Sequence, residues 1–188
     1  MSRTVRNILR IALATVAILL IPLVAMQFTD EVAWTLSDFV IAGILLFGSG
    51  LAYELTSRRS GQAAYRAAAG VGVVAALLLL WVNGAVGIIG NENNPANLMY
   101  FGVLAIGAIG AVAARLRPRG MMYTLFAVAL AQLLVPVIAL VIWRPPATSM
   151  AEFWNISRVF ILNGFFALLW VVSALLFRKA ASSPDQGV

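Results

Sequence analysis

The sequence predicts an all-α membrane protein: six transmembrane helices, arranged as three tandem two-helix repeats, with both termini cytoplasmic. Three observations carry that prediction. Of 188 residues, 62% are hydrophobic and only 11% charged, which leaves too little polar surface for a soluble domain of this length. The apolar residues gather into six runs, each long enough to cross a hydrocarbon layer about 30 Å thick. The basic residues sit in short clusters between those runs, on alternate turns.

The runs cover roughly 11–28, 34–55, 67–90, 98–114, 121–143 and 159–177, and together they make 1–188 a single integral membrane domain. Each must be helical in lipid, because every backbone polar group there needs an internal partner. The first run carries Pro22 and the fifth Pro136, so both helices are expected to bend locally. The first also resembles a signal peptide in having a basic start, but "VAMQFTDE" after it lacks a small-x-small cleavage site, so it is expected to stay. The second begins at Trp34 and ends near Glu54 and Arg58. The third ends in "GIIGNENNPANLMY", whose Pro95 and asparagines read as a turn returning the chain to the membrane, with Asn93 or Asn94 as a capping acceptor. The second and fourth runs carry the small-xxx-small pairs Gly48/Ala52 and Gly107/Ala111, which permit close helix approach and are expected to use the same face in both copies. Trp34, Trp143 and Trp154 mark one membrane interface.

Orientation follows from the cations. Arg3, Arg6, Arg10, Arg58, Arg59, Arg66, Arg115, Arg117, Arg119, Arg178 and Lys179 fall on one side, which accounts for eleven of the thirteen basic residues. Arg144 and Arg158 fall on the other. The richer side is cytoplasmic. The formal net charge of +6 thus reads as topology signal and contact with anionic lipids rather than nucleic-acid binding.

Internal similarity supports the repeats. "AILLIPLVA" at 17–25 resembles "AQLLVPVIA" at 131–139, with the proline in register. A shift of 59 places Gly43, Leu45, Gly48, Ala52, Arg58 and Gly61 on Gly102, Leu104, Gly107, Ala111, Arg117 and Gly120, with Asp38 on Asn97. A shift of 121 places Glu31, Phe39 and Gly43 on Glu152, Phe160 and Gly164.

Cysteine and histidine are absent, which removes disulfides, thiol catalysis, histidine-ligated haem and the usual zinc sites. The single lysine, Lys179, closes the last run, so a mid-membrane Schiff base has no candidate. No nucleophile–base pair appears. The sequence therefore predicts a protein that is not an enzyme, with no metal and no cofactor.

The candidate ligand contacts are Asp38, Glu92, Asn97 and Asn163. Asp38 lies just inside the second run, where an ionisable group is expected to meet a cavity or a partner, Arg158 being the natural one. Glu31, Glu92 and Glu152 each occupy an outer turn and could together attract a cation. Glu54 and Arg58 have the i, i+4 order of a helical ion pair. Deeper, Asn83, Gln132 and Asn163 could form a narrow solute site, though hydrogen bonds between helices are their plainer role.

The run "VNGAVGIIGNENNPANLMYFGVLAIGAIGA", with "RPRGM" after it, resembles small hypothetical multi-pass proteins of the proteobacterial inner membrane, a likeness that implies fold and location and no activity. In size and helix number the chain also looks like the substrate-binding subunits of energy-coupling-factor vitamin importers. Two functions are thus expected. One is binding, or helping to transport, a small solute or lipid at a site open to the outer face of a bacterial cytoplasmic membrane. The alternative is an accessory subunit that packs on a membrane-protein partner, or on copies of itself, through its Gly/Ala faces.

Overall fold

The computed structural model describes residues 3–143 and 150–182, and among them every regular element is helical. They comprise α1 (Arg3–Ala25), α2 (Leu36–Ser57), α3 (Ala63–Val86), α4 (Met99–Ala113), α5 (Pro118–Trp143) and α6 (Met150–Ser182), with a 3₁₀ turn at Pro95–Leu98 running into α4. Six segments are long and apolar enough to cross a membrane. Arg144 and the side chains of Trp143, Glu152 and Trp154 lie outside the described residues.

Helix ends depart from the apolar runs in a consistent way. Hydropathy marks the part that lies in hydrocarbon, whereas a helix continues wherever backbone propensity allows. Thus α1 starts at Arg3 and α6 runs on through Arg178 and Lys179 to Ser182, since arginine, lysine and alanine are good helix formers. The third helix starts earlier than its run, in "AAYRAAAG", and stops earlier, at Val86, because Gly87 takes φ +67°. A side chain there would also strike the Asn91 carbonyl, so only glycine fits. By itself α4 has 15 residues, about 22 Å at 1.5 Å per residue. The 3₁₀ turn in front extends the segment to 19 residues, enough to span.

The chain divides into two compact units, Met1–Arg58 and Arg59–Val188. In the first, α1 packs on α2. Gly43 approaches Leu19 and Gly50 approaches Ile11, so glycines on α2 set the spacing of the pair. One end is tied by polar groups: Glu54 Oε1 accepts from Arg58 Nε at 2.8 Å and from Asn7 Nδ2 at 2.6 Å. The expected ion pair therefore forms, and Asn7 joins it across the helices.

In the second unit α5 and α6 form the centre; α3 packs on α6 and α4 on α5, while α3 and α4 touch only lightly. The buried residues Phe166, Trp170, Ser173, Ala174 and Phe177 follow one face of α6, at the spacing of a helical stripe. Ser173 Oγ donates to the Ala68 carbonyl at 2.7 Å, opposite Gly72, where a side chain would crowd the serine. Gly107 rests on Val128, and Gly110 lies against Thr124. Its counterpart in α2, Gly48, has nothing within 4 Å of where a Cβ would stand. The two small-residue pairs therefore do not share one packing role, because Gly107 is occupied by α5.

Candidate functional site

The polar stretch between α3 and α4 is organised by one side chain. Asn97 is 4% exposed, and its Oδ1 accepts from the N–H groups of Ile88 (3.2 Å) and Ile89 (2.9 Å). Its Nδ2 donates to the carbonyls of Ile89 (3.2 Å) and Asn91 (2.6 Å). An amide has two acceptor and two donor positions, and all four are taken by backbone. Asn83 Nδ2, at the end of α3, donates to the Asn97 carbonyl at 3.3 Å. Asn94 Oδ1 accepts from Ala96 N–H at 2.9 Å with Pro95 at the first position of the 3₁₀ turn. This turn folds itself, so the asparagines are explained by geometry before any ligand is considered. Asn97 has no hydrogen-bonding capacity left for a solute.

A second polar group lies deeper, where α4, α5 and α6 meet. Gln132 and Asn163 are fully buried and Tyr100 is 1% exposed. Gln132 Nε2 donates to Asn163 Oδ1 at 2.9 Å. Asn163 Nδ2 donates to Tyr100 Oη at 2.9 Å and to the Val159 carbonyl at 2.8 Å. Both Asn163 donors are thus engaged and its oxygen has one donor, but Gln132 Oε1 has no partner among the described residues. Leaving such a group unpaired costs on the order of 1–3 kcal/mol. Pro136 adds to this, since it lacks the N–H that would bond the Gln132 carbonyl one turn back. Asn83 Oδ1 and Trp170 Nε1 are also buried without partners.

Above the amide pair is a cleft of about 190 Å³, lined by Pro136, Ala139 and Leu140 of α5, by Asn155, Val159 and Phe160 of α6, and by Ile89, Gly90 and Asn94 of the turn. Pro136 and Val159 each lie one helical turn from Gln132 and Asn163. The walls are apolar and the amides of Asn94 and Asn155 stand among them. The volume is roughly that of six waters in the liquid and falls below the roughly 300–1,000 Å³ of sites for drug-sized molecules.

The remaining candidates are placed as follows. Asp38 belongs to the first unit, where its Oδ2 accepts from the Thr35 N–H and from Thr35 Oγ1, both at 2.7 Å. It therefore caps α2, a use that a carboxylate in a first turn commonly has. Arg158 is exposed near the start of α6, in the second unit. Glu31 is exposed between α1 and α2, and its N–H donates to Thr29 Oγ1 at 3.1 Å. Glu92 is exposed at the tip of the turn that walls the cleft, with Asn93 Nδ2 at 3.4 Å from its Oε1. Glu152 lies outside the described side chains. Among the described residues no group of His, Cys, Asp and Glu could hold a metal ion. Sequence reasoning grouped Gln132 and Asn163 with Asn83, which instead bonds the Asn97 carbonyl, and missed Tyr100. A tyrosine after "NNPANLM" looks like an interfacial anchor, and only the helix packing turns it inward.

Compared with known protein families, with curated proteins and with solved structures, the chain matches none of them.

Proposed function

We propose that this multi-pass membrane protein binds, and helps to move, a small solute or lipid segment in the cleft between α5, α6 and the 87–98 turn. The observation that carries the reading is the buried Gln132 Oε1, which has no partner among the described residues and lies on α5 one helical turn from Pro136 in the cleft wall. A buried acceptor without a donor is costly, and a ligand donor entering from the cleft would relieve it. The ligand is then a compact, largely apolar molecule or chain end bearing a hydroxyl, amide N–H or ammonium. Glu92 at the rim favours a cation on approach, while Asn94 and Asn155 stand in the walls. Asn97 and Asn163 support the site indirectly, as turn anchor and holder of Gln132, whereas Asp38 caps α2 in the other unit.

The same reading places the protein in a bacterial cytoplasmic membrane with both termini inside, because the arginine-rich turns lie opposite the 87–98 turn. The cleft then opens to the outer face. The pairs α1–α2, α3–α4 and α5–α6 are read as descendants of one duplicated hairpin, supported by the matched prolines Pro22 and Pro136. In the second pair the α3–α4 contact has been replaced by packing on α5 and α6.

The test is native mass spectrometry of the protein extracted in mild detergent from its own host. Wild type should carry a bound molecule that Gln132→Met loses while still folding. Retention of that molecule by Gln132→Met would rule this site out. One observation favours the second reading, an accessory subunit: Gly48 and Ala52 form an exposed small-residue face on α2. On that reading a stoichiometric protein partner, lost in Gly48→Leu, would appear instead.

A further inference from the structure

The arginines of the opposite end do more than mark topology. The start of α3, the 115–119 loop, the start of α5 and the end of α6 border an open cavity of about 610 Å³, larger than the cleft. Four guanidinium-bearing residues line it: Arg59, Arg115, Arg117 and Arg119. No carboxylate lines it among the described residues, and the ion pair found among them is elsewhere, between Arg58 and Glu54. Gathered with no carboxylate between them among the described residues, these like charges repel one another, which an anion in their midst reverses.

The backbone adds to the attraction. Both α3 and α5 begin beside this cavity, so the positive ends of two helix dipoles lie near it. The loop is also held in shape. Arg115 and Leu116 take the left-handed conformation, at φ 49° and 58°, and the Leu116 carbonyl accepts from Tyr65 Oη at 2.7 Å. The Tyr65 ring in turn meets Phe177 edge to face, with centroids 5.0 Å apart. Close approach of Gly120 to Ala114 tightens the turn further. A floppy basic loop would be solvated and unspecific, whereas this one presents its cations around a preformed space. One wall supplies a further requirement: Gln62 Oε1 is buried without a partner, so a fitting anion brings a hydroxyl as well as its charge.

We propose that this cavity binds a phosphate ester bearing a free hydroxyl, with Arg115 and Arg119 holding the phosphate and Gln62 accepting from the hydroxyl. Two sources share that chemistry: the headgroup of phosphatidylglycerol, and a soluble ester such as glycerol phosphate. The site is independent of the cleft and of its ligand.

The test is thermal unfolding of the full chain in a non-ionic detergent, followed by tryptophan fluorescence, during titration with short-chain lipids. Phosphatidylglycerol should raise the midpoint with saturation, and phosphatidylcholine of the same chain length should not. Arg115→Gly with Arg119→Gln should weaken the apparent affinity at least tenfold. Glycine suits the left-handed position, so the loop is expected to survive the change. Arg6→Gln with Arg10→Gln removes the same charge from α1 and should leave the affinity within twofold of wild type. Protection by glycerol phosphate assigns the soluble source, and its failure beside a response to phosphatidylglycerol assigns the lipid. Phosphatidylmethanol, which lacks the hydroxyl, should bind more weakly than phosphatidylglycerol, and Gln62→Leu should erase that preference. Equal losses in the two arginine pairs would overturn the proposal, as would no response to either ester or equal binding of both anionic lipids by wild type.

Discussion

Two amide side chains of the four-helix unit, Asn97 and Gln132, show how differently the same chemistry can be used. Both are buried within a few per cent. Asn97 has both acceptor and both donor positions filled by the backbone of its own turn. Gln132 has a donor engaged by Asn163 and an oxygen with no partner among the described residues. A saturated amide holds a fold together and offers nothing to a visitor. A half-saturated one costs stability and retains a place for a donor. Burial and the amide group are the same in the two cases, so neither identifies a binding group. The accounting of donors and acceptors does.

The largest effect is expected at Asn97. Asn97→Ala removes four hydrogen bonds and strands the backbone groups of Ile88, Ile89 and Asn91, at about 1 kcal/mol or more for each bond. A loss of roughly 3–4 kcal/mol should appear in reversible unfolding from mixed micelles, and the 83–98 segment should exchange its amide hydrogens faster. Asn163→Ala comes next. It leaves Gln132 Nε2 and Tyr100 Oη without partners inside the helix packing and should cost about 2–3 kcal/mol. Tyr100→Phe keeps the ring and removes one bond, so about 1 kcal/mol is expected, with Asn163 still held by the Val159 carbonyl. Glu92→Gln should be the smallest, within about 0.5 kcal/mol, as exposed substitutions usually are. If it nonetheless weakens ligand capture, and does so less at high salt, the approach of a cation to the cleft is supported.

Much of the fold is legible in the sequence, because six apolar runs leave lipid-spanning helices as the one physical solution. The ends are less so: hydropathy is silent on how far α1 and α6 continue beyond the hydrocarbon, and Gly87 ends α3 inside an apolar stretch. The turn was legible in kind, with Asn94 and Pro95 at its start as expected. The role of Asn97 was not, since an asparagine beside a membrane mouth looks the same whether it holds a turn or a ligand. Asp38 teaches the same lesson: a carboxylate close to an apolar run suggests a partner, but Thr35, three residues earlier, already engages it. Asn7 and the basic cavity escape sequence reading altogether, because both depend on which helix ends meet.

The most direct measurement is the reversible unfolding free energy of Gln132→Met, set beside that of Asn97→Ala under the same conditions. Methionine removes the unpaired oxygen but also the donor to Asn163 Oδ1, so one buried orphan acceptor replaces another and the net loss is one hydrogen bond, about 1 kcal/mol. The ligand-free variant should therefore lie within about 1 kcal/mol of wild type, while Asn97→Ala falls well below it. A loss for Gln132→Met as large as that for Asn97→Ala would mean that the Gln132 oxygen is already engaged in the folded protein. The cleft above it would then have no vacant acceptor to offer.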